Sequence, residues 1–129
     1  MGKHVKIVDC PHLPNVDAPV EWAVVAGGVF YTSQIPIRQD GTVETGAIED
    51  QAMLTFENLK LAVEAAGGSL RDMTQVQIFI TNPEDFPMVN EVYQRFFKPP
   101  YPNRATVVAA GLLLPGMAIE IIATAHIGD

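Results

Sequence analysis

A stripe of apolar residues between positions 48 and 66 constrains the fold more than any other part of the sequence. Apolar side chains recur there at steps of three and four residues, which is the spacing along one face of an α-helix. The stripe consists of Ile48, Ala52, Phe56, Leu59, Val63 and Ala66. Charged residues such as Glu57 and Lys60 fall on the other face, and Gly67-Gly68 is a typical helix end. We therefore predict a long amphipathic helix that must bury one face against the rest of the chain.

Strand patterns lie on both sides of this helix. Residues 73–81 alternate, so that Val76, Ile78 and Ile80 share one face of a predicted strand. A second helix is expected from Asn82-Pro83, a helix cap followed by a favourable first residue, to Pro99-Pro100, which cannot continue it. The other predicted strands are residues 5–8, 23–26, 29–34, 104–110 and 117–125, with a Gly-Gly hairpin turn after residue 26.

This β-β-β-α-β-α-β-β order predicts one domain spanning residues 1–129, an α+β sandwich with two helices on one face of a mixed six-stranded sheet. The sequence is 48% hydrophobic and only 18% charged. Leaving the second sheet face in water would expose apolar side chains. We therefore expect that face to be covered by other subunits.

The composition also argues against several classes of function. A net charge of −7, with eight scattered Lys and Arg residues, repels phosphate backbones, so no nucleic-acid partner is expected. The single cysteine, Cys10, cannot form an internal disulfide and fits a reducing, cytoplasmic location. No apolar run approaches the ~18 residues of a membrane span. Cys10-x-His12 is too little for a metal site, and no cofactor-binding motif is present, so neither metal nor cofactor is expected.

Each of the last two predicted strands carries a charge in apolar company, Arg104 in the first and Glu120 in the second. Such a charge is costly to bury unless it is paired or meets a ligand. Residue types alone leave two interpretations open. One is an ion pair or two exposed strand ends. The other is a small-anion site, in which Arg104 takes a carboxylate and Glu120 handles a water or a proton. In a hairpin, Glu120 would lie opposite Val107, roughly 10 Å along the sheet from Arg104.

Several segments occur together at the spacing of a known family. They are Tyr31-Thr32-Ser33-Gln34-Ile35-Pro36, Asn58-Leu59-Lys60, Glu64-Ala65-Ala66-Gly67-Gly68, Asn90-Glu91-Val92-Tyr93-x-x-Phe96-Phe97, Pro102-x-Arg104-Ala105-x-Val107 and Ile119-Glu120-Ile121. With these motifs the chain resembles the Rid family of reactive intermediate or imine deaminases, also known as YjgF proteins. The resemblance covers almost the whole chain.

The resemblance implies a chorismate-mutase-like (YjgF-like) α+β fold and homotrimers with sites in the clefts between subunits. Arg104 matches the arginine that binds the substrate carboxylate, and Glu120 matches the glutamate that helps position the attacking water. Asn90 matches an asparagine on the second helix that lies near the site from the adjacent subunit. Ser33 and Gln34 match part of a substrate-binding segment.

The chain departs from the family pattern at three places. Thr32-Ser33-Gln34 lacks the glycine of the usual Ser-Gly-Gln sequence. Thr106 replaces a common cysteine, which excludes a thiol nucleophile there but leaves a backbone carbonyl that the family's reaction could use. Val20 stands where many relatives have tyrosine, and Trp22 is a possible substitute in the pocket.

The function that the resemblance implies is cofactor-free hydrolysis of 2-imino acids or enamines to 2-oxo acids and ammonia. The lost tyrosine favours a different or longer substrate, such as an aminoacrylate or a 2-aminomuconate-type dienamine. The alternative is a non-catalytic, regulatory trimer that binds small carboxylates through Arg104. A role in RNA cleavage follows only from labels given to family members, and the acidic composition argues against it.

Overall fold

The computed structural model describes residues 4–128. Its main elements follow the predicted order. The strands are β1 (Lys6–Ile7), β2 (Ala23–Ala26), β3 (Val29–Gln34), β4 (Met73–Ile80), β5 (Asn103–Val108) and β6 (Ile119–His126), and the helices are α1 (Ile48–Ala65) and α2 (Phe86–Phe96). Two short 3-10 turns, Leu70–Asp72 and Pro83–Asp85, precede β4 and α2. The second turn begins at the predicted cap, where the Asn82 side chain accepts a hydrogen bond from the Glu84 N–H at 3.0 Å.

The strands form one six-stranded sheet in the order β1-β2-β3-β6-β4-β5. Only β4 and β5 run parallel, because α2 carries the chain back to the start of the sheet between them. The predicted mixed sheet is therefore confirmed. The hairpin expected between the last two strands is wrong, because β4 lies between β5 and β6 and pairs with both.

Both helices pack on one face of this sheet, where the core lies. The predicted apolar stripe of α1 faces inward, with Phe56, Leu59 and Val63 fully buried. The Phe56 ring contacts the Tyr93 ring of α2 edge-on, with centroids 5.8 Å apart. Strand residues alternate between this core and the second sheet face, which in residues 4–128 is open to solvent. Neither helix is long and apolar enough to cross a membrane.

A buried glutamine of α1 fixes the approach to β6. The Gln51 Oε1 atom accepts a hydrogen bond from the Ala118 N–H at 2.8 Å, and its Nε2 atom donates to the carbonyls of Gly116 at 3.1 Å and Gly46 at 3.2 Å. Gln51 is 2% exposed, so its side-chain amide depends on these backbone groups rather than on water. This contact positions the start of β6, the strand that carries Glu120.

We predict that Gln51→Leu lowers the free energy of unfolding by about 2–4 kcal/mol, because three partly buried hydrogen bonds to the backbone are lost. Urea titrations at one fixed protein concentration would measure the change. The control is Gln39→Leu, which removes an exposed glutamine and should cost less than about 1 kcal/mol. Equal effects of the two substitutions would contradict the role assigned to Gln51.

Candidate functional site

Arg104 lies on the helix side of edge strand β5. It pairs with Val76 of β4, whose side chain is buried beneath the helices, and directly paired residues project to the same sheet face. The half-buried arginine therefore extends toward α2. There its Nη1 atom donates a 2.7 Å hydrogen bond to the Asn90 Oδ1 atom of the same chain. The resemblance implied an asparagine near the site from the adjacent subunit, whereas Asn90 already contacts Arg104 within one chain.

Aromatic rings lie under the same guanidinium. The Arg104 Cζ atom is 4.6 Å from the centroid of the Tyr93 ring and 5.4 Å from that of Phe86. The sequence motifs did not indicate this contact. The available signal was the spacing of residues 86, 90 and 93, which follow one face of a helix.

The charge of Arg104 has no carboxylate partner in the described chain. The ion pairs among residues 4–128 are made by Arg38 and Arg95. Partial burial of a guanidinium costs free energy unless its N–H groups are hydrogen-bonded. The single bond to Asn90 leaves most of the five N–H groups of Arg104 without a partner among residues 4–128. Arg104 therefore presents a positive charge and free N–H donors to an incoming anion.

A cavity of about 340 Å³ lies beside this group. Its walls come from the last turns of α2 and from the segment that leads into β5. They are formed by Asn90, Tyr93, Gln94, Tyr101, Pro102 and Arg104. The space adjoins the unneutralised guanidinium and is large enough for a small carboxylate.

Thr106 lies two residues after Arg104 and pairs with buried Ile78, so it shares the helix-side face with Arg104. Its side chain is half-buried. Within residues 4–128, β5 pairs only with β4, so the other edge of its backbone faces away from the sheet. Main-chain groups near Thr106 are therefore available to a water or to a second chain.

Glu120 lies on the opposite sheet face. It pairs with Phe79 of β4, and Phe79 pairs on its other side with Val107 of β5. Glu120 therefore lies at the same height along the strands as Val107, as predicted, but two strands away from it. Two strand spacings are roughly 10 Å, and the sheet itself separates the two side chains. One chain therefore does not bring Arg104 and Glu120 together. Partial burial raises the pKa of the Glu120 carboxyl.

The predicted Ser33-Gln34 segment divides between the two faces of β3. Ser33 is exposed and pairs with Ile122, so it shares the open face with Glu120. Gln34 is fully buried, and its Nε2 atom donates to the Thr32 Oγ1 atom at 2.9 Å. Its Oε1 atom has no hydrogen-bond partner within residues 4–128. Because the Gln34 side chain lies in the core, substrate binding by Ser33-Gln34 stays a prediction that falls to Ser33 and to the backbone of this segment.

The remaining sequence candidates lie elsewhere. Val20 is exposed and supplies no hydroxyl. Trp22 is half-buried and donates from Nε1 to the Pro14 carbonyl at 2.8 Å. The Nε2 atom of His12 lies 3.1 Å from the Asn58 carbonyl oxygen. Across the described part of the chain, no three His, Cys, Asp or Glu side chains come close enough together to hold a metal ion.

The raised pKa of Glu120 predicts a pH-dependent effect on stability. Burial favours the neutral form of the Glu120 carboxyl in the folded state, so the ionised form destabilises the fold at pH values above the folded-state pKa. This penalty is absent at pH values below 4.5, the ordinary pKa of the group, because the carboxyl is then protonated in both folded and unfolded states. Glu120→Gln should therefore raise the melting temperature at pH 8 and give a smaller rise at pH 4. Glu64→Gln, at an exposed site on α1, is the control. A gain for Glu120→Gln that is equal at both pH values would contradict this prediction.

Comparisons with known proteins agree with the fold and with the sequence motifs. A family model described as Endoribonuclease L-PSP matches residues 12–127. A protein from Dermatophagoides farinae named 2-iminobutanoate/2-iminopropanoate deaminase is 39% identical over 109 residues, which cover 83% of this chain and 85% of that protein.

Solved structures extend the similarity to three dimensions. The structure of E. coli TdcF with bound serine has a TM-score of 0.85 and 35% identity, covering 94% of this chain and 98% of that one. RidA from an Antarctic Psychrobacter species has a TM-score of 0.87 and 31% identity, covering 95% and 99%. These similarities confirm the predicted fold, and the chain belongs to the Endoribonuclease L-PSP family, the Rid proteins that its motifs resemble.

Proposed function

We propose that this chain is a cofactor-free deaminase that hydrolyses small 2-imino acids, or their enamine tautomers, to 2-oxo acids and ammonia. The observation that carries the proposal is the unneutralised, half-buried guanidinium of Arg104 beside a cavity. A 2-imino acid carries the carboxylate that such a group binds. The deaminase name of a relative at 39% identity supports this reaction.

Arg104 would hold the substrate carboxylate through the N–H donors that Asn90 leaves free. Fixing the carboxylate also fixes the imine carbon, which lies one bond away, and reduces the entropic cost of the attack. A water held by Glu120 and by a backbone carbonyl near Thr106 would then add to this carbon. The raised pKa makes the Glu120 carboxylate a stronger base toward that water.

The imine nitrogen first takes a proton from solvent, so that addition of water with loss of one proton to Glu120 gives a neutral carbinolamine with a hydroxyl and an amine. Glu120 passes its proton to the amine nitrogen, and the carbon–nitrogen bond breaks as the carbonyl forms and the hydroxyl proton passes to Glu120. Release of this proton to solvent restores the Glu120 carboxylate. Overall, one imino acid and one water give one 2-oxo acid and one ammonia. No electrons are gained or lost, so the reaction as written needs no redox partner.

The positions of Arg104 and Glu120 imply a site shared between chains. They lie on opposite faces of one sheet and two strands apart, whereas a small substrate must contact both. Another copy can place its open face, with Glu120 and Ser33, against the helix side of β5. That open face carries apolar side chains about two-fifths exposed, such as Tyr31 and Ile122, which favour burial against a subunit. We therefore include the homotrimer with inter-subunit sites in the proposal.

A second candidate function is a carboxylate-binding trimer without catalysis. The exposed Val20 favours it, because the hydroxyl of the tyrosine found in many relatives is missing from that position. Both candidate functions need Arg104, so a variant that loses ligand binding does not distinguish between them. A measurement of imine turnover by the wild-type protein does.

We predict that the wild-type protein suppresses semicarbazone formation when an amino-acid oxidase generates 2-imino acids in the presence of semicarbazide. Arg104→Ala should reduce kcat/KM by about 10²–10³-fold, since it removes a bidentate charged contact. Arg71→Ala, which removes an exposed arginine outside this cavity, should leave activity unchanged. If the wild-type protein binds pyruvate but accelerates the hydrolysis of none of the imines, the non-catalytic function is favoured.

Subunit mixing tests the shared site. Arg104→Ala and Glu120→Gln should each be nearly inactive alone. After the two variants are unfolded and refolded together in equal amounts, about a quarter of inter-subunit sites should combine an intact Arg104 with an intact Glu120. We therefore expect roughly a quarter of wild-type activity from a particle with the mass of three chains. Mixed trimers without recovered activity would contradict a site shared in this way.

A further inference from the structure

The contacts of Arg104 within its own chain come from neutral groups of one helix. Asn90 accepts its hydrogen bond at 2.7 Å, and Tyr93 and Phe86 lie beneath the guanidinium at 4.6 and 5.4 Å. All three residues belong to α2. We call this set, Phe86, Asn90 and Tyr93, the neutral cradle.

Tyr93 is the most firmly fixed member of the cradle. It is 3% exposed, its ring stacks on Phe97 with centroids 4.5 Å apart, and it meets Phe56 edge-on at 5.8 Å. The core therefore determines where the Tyr93 ring lies, and the ring limits where the guanidinium can lie. Burial also raises the pKa of Tyr93, so its hydroxyl stays neutral beside the cation.

Neutrality has a chemical consequence for an anion site. A carboxylate under Arg104 would fix the guanidinium firmly, but it would also neutralise the charge and compete with an incoming carboxylate. An aromatic face attracts a cation through its quadrupole, and an amide oxygen accepts one hydrogen bond. Together they orient the guanidinium and leave its full positive charge for a ligand.

We propose that Tyr93 is a positioning residue of the carboxylate site, acting with Phe86 and Asn90 as a neutral cradle that orients Arg104 without neutralising it. The ring is the acting part, because the Tyr93 hydroxyl has no hydrogen-bond partner among residues 4–128. The inference rests on the proposed function only in taking the substrate carboxylate as the ligand. A carboxylate probe tests it without turnover.

The first test compares three variants by calorimetric titration with pyruvate, a three-carbon 2-oxo acid. Tyr93→Phe keeps the ring and should bind within about threefold of wild type, whereas Tyr93→Leu should weaken binding by about 3- to 30-fold. Phe30→Leu is the matched control. It removes a fully buried ring of β3 that contacts neither Arg104 nor Tyr93, so it should lower the melting temperature yet leave pyruvate affinity unchanged.

Two results would overturn the role of the Tyr93 ring. One is equal loss of affinity in Tyr93→Phe and Tyr93→Leu, which would assign the effect to the hydroxyl. The other is equal loss in Tyr93→Leu and Phe30→Leu, which would reduce the effect to core packing. Where the protein turns over an imine, Tyr93→Leu should raise KM more than it lowers kcat, because a carboxylate contact is present in both ground state and transition state.

The second test addresses neutrality. Asn90→Asp keeps the size of the side chain but places a carboxylate against the Arg104 Nη1 atom. Pyruvate affinity should fall at least about tenfold, while the melting temperature stays level or rises because an ion pair has formed. Unchanged affinity in a folded Asn90→Asp protein would overturn the neutral cradle.

These outcomes are separate from that of the proposed function. A wild-type protein that binds pyruvate but hydrolyses no imine would refute the deaminase and still allow both cradle tests. If the wild-type protein hydrolyses imines, the deaminase is supported. If neither Asn90→Asp nor Tyr93→Leu then changes pyruvate affinity, the neutral cradle is refuted.

Discussion

The pairing of β4 with a parallel neighbour on one side and an antiparallel neighbour on the other determines the sheet faces on which Arg104, Thr106 and Glu120 lie. Its buried residues Val76 and Ile78 set the phase of β5, so that Arg104 and Thr106 project toward the helices. Its half-exposed residue Phe79 sets the phase of β6, so that Glu120 projects the other way. A shift of either register by one residue would exchange the faces and destroy the arrangement. The core contacts of β4 therefore stabilise the site as well as the fold.

Local patterns in the sequence were sufficient for most of the elements. The Gly-Gly turn and the alternation around it placed β2 and β3 at their observed limits, and the apolar stripe placed the start of α1 at Ile48. Strand order depends on contacts between distant segments, which local patterns do not encode. The last two strands were interpreted as a hairpin because they are neighbours in sequence. The strand-helix-strand pattern from β4 to β5 was the better guide, since such a crossover usually joins parallel neighbours.

The site was predictable to the extent that single residues carry its chemistry. Arg104 and Asn90 were chosen separately and prove to be hydrogen-bonded. The burial of the Gln34 side chain follows from strand alternation, because Gln34 is in phase with Phe30 and Thr32, which are also buried. Tyr93 belonged to a recognised family motif, but nothing in the motif indicated its contact with Arg104. An aromatic ring on a helix stripe can be a core residue and also a support for an arginine, and only the position of the neighbouring strand distinguishes these roles.

The electrostatics of the single chain favour completion by another molecule. Arg104 has no counter-ion within the described residues, and Glu120 is partly desolvated without a cation beside it. Each group alone is costly to bury, and the cost falls if a carboxylate reaches the first and a water or imine nitrogen reaches the second. A substrate between two copies provides both partners at once. The same sheet that separates these groups within one chain can therefore bring them together between chains, with the edge strand β5 of one copy against the open face of the next.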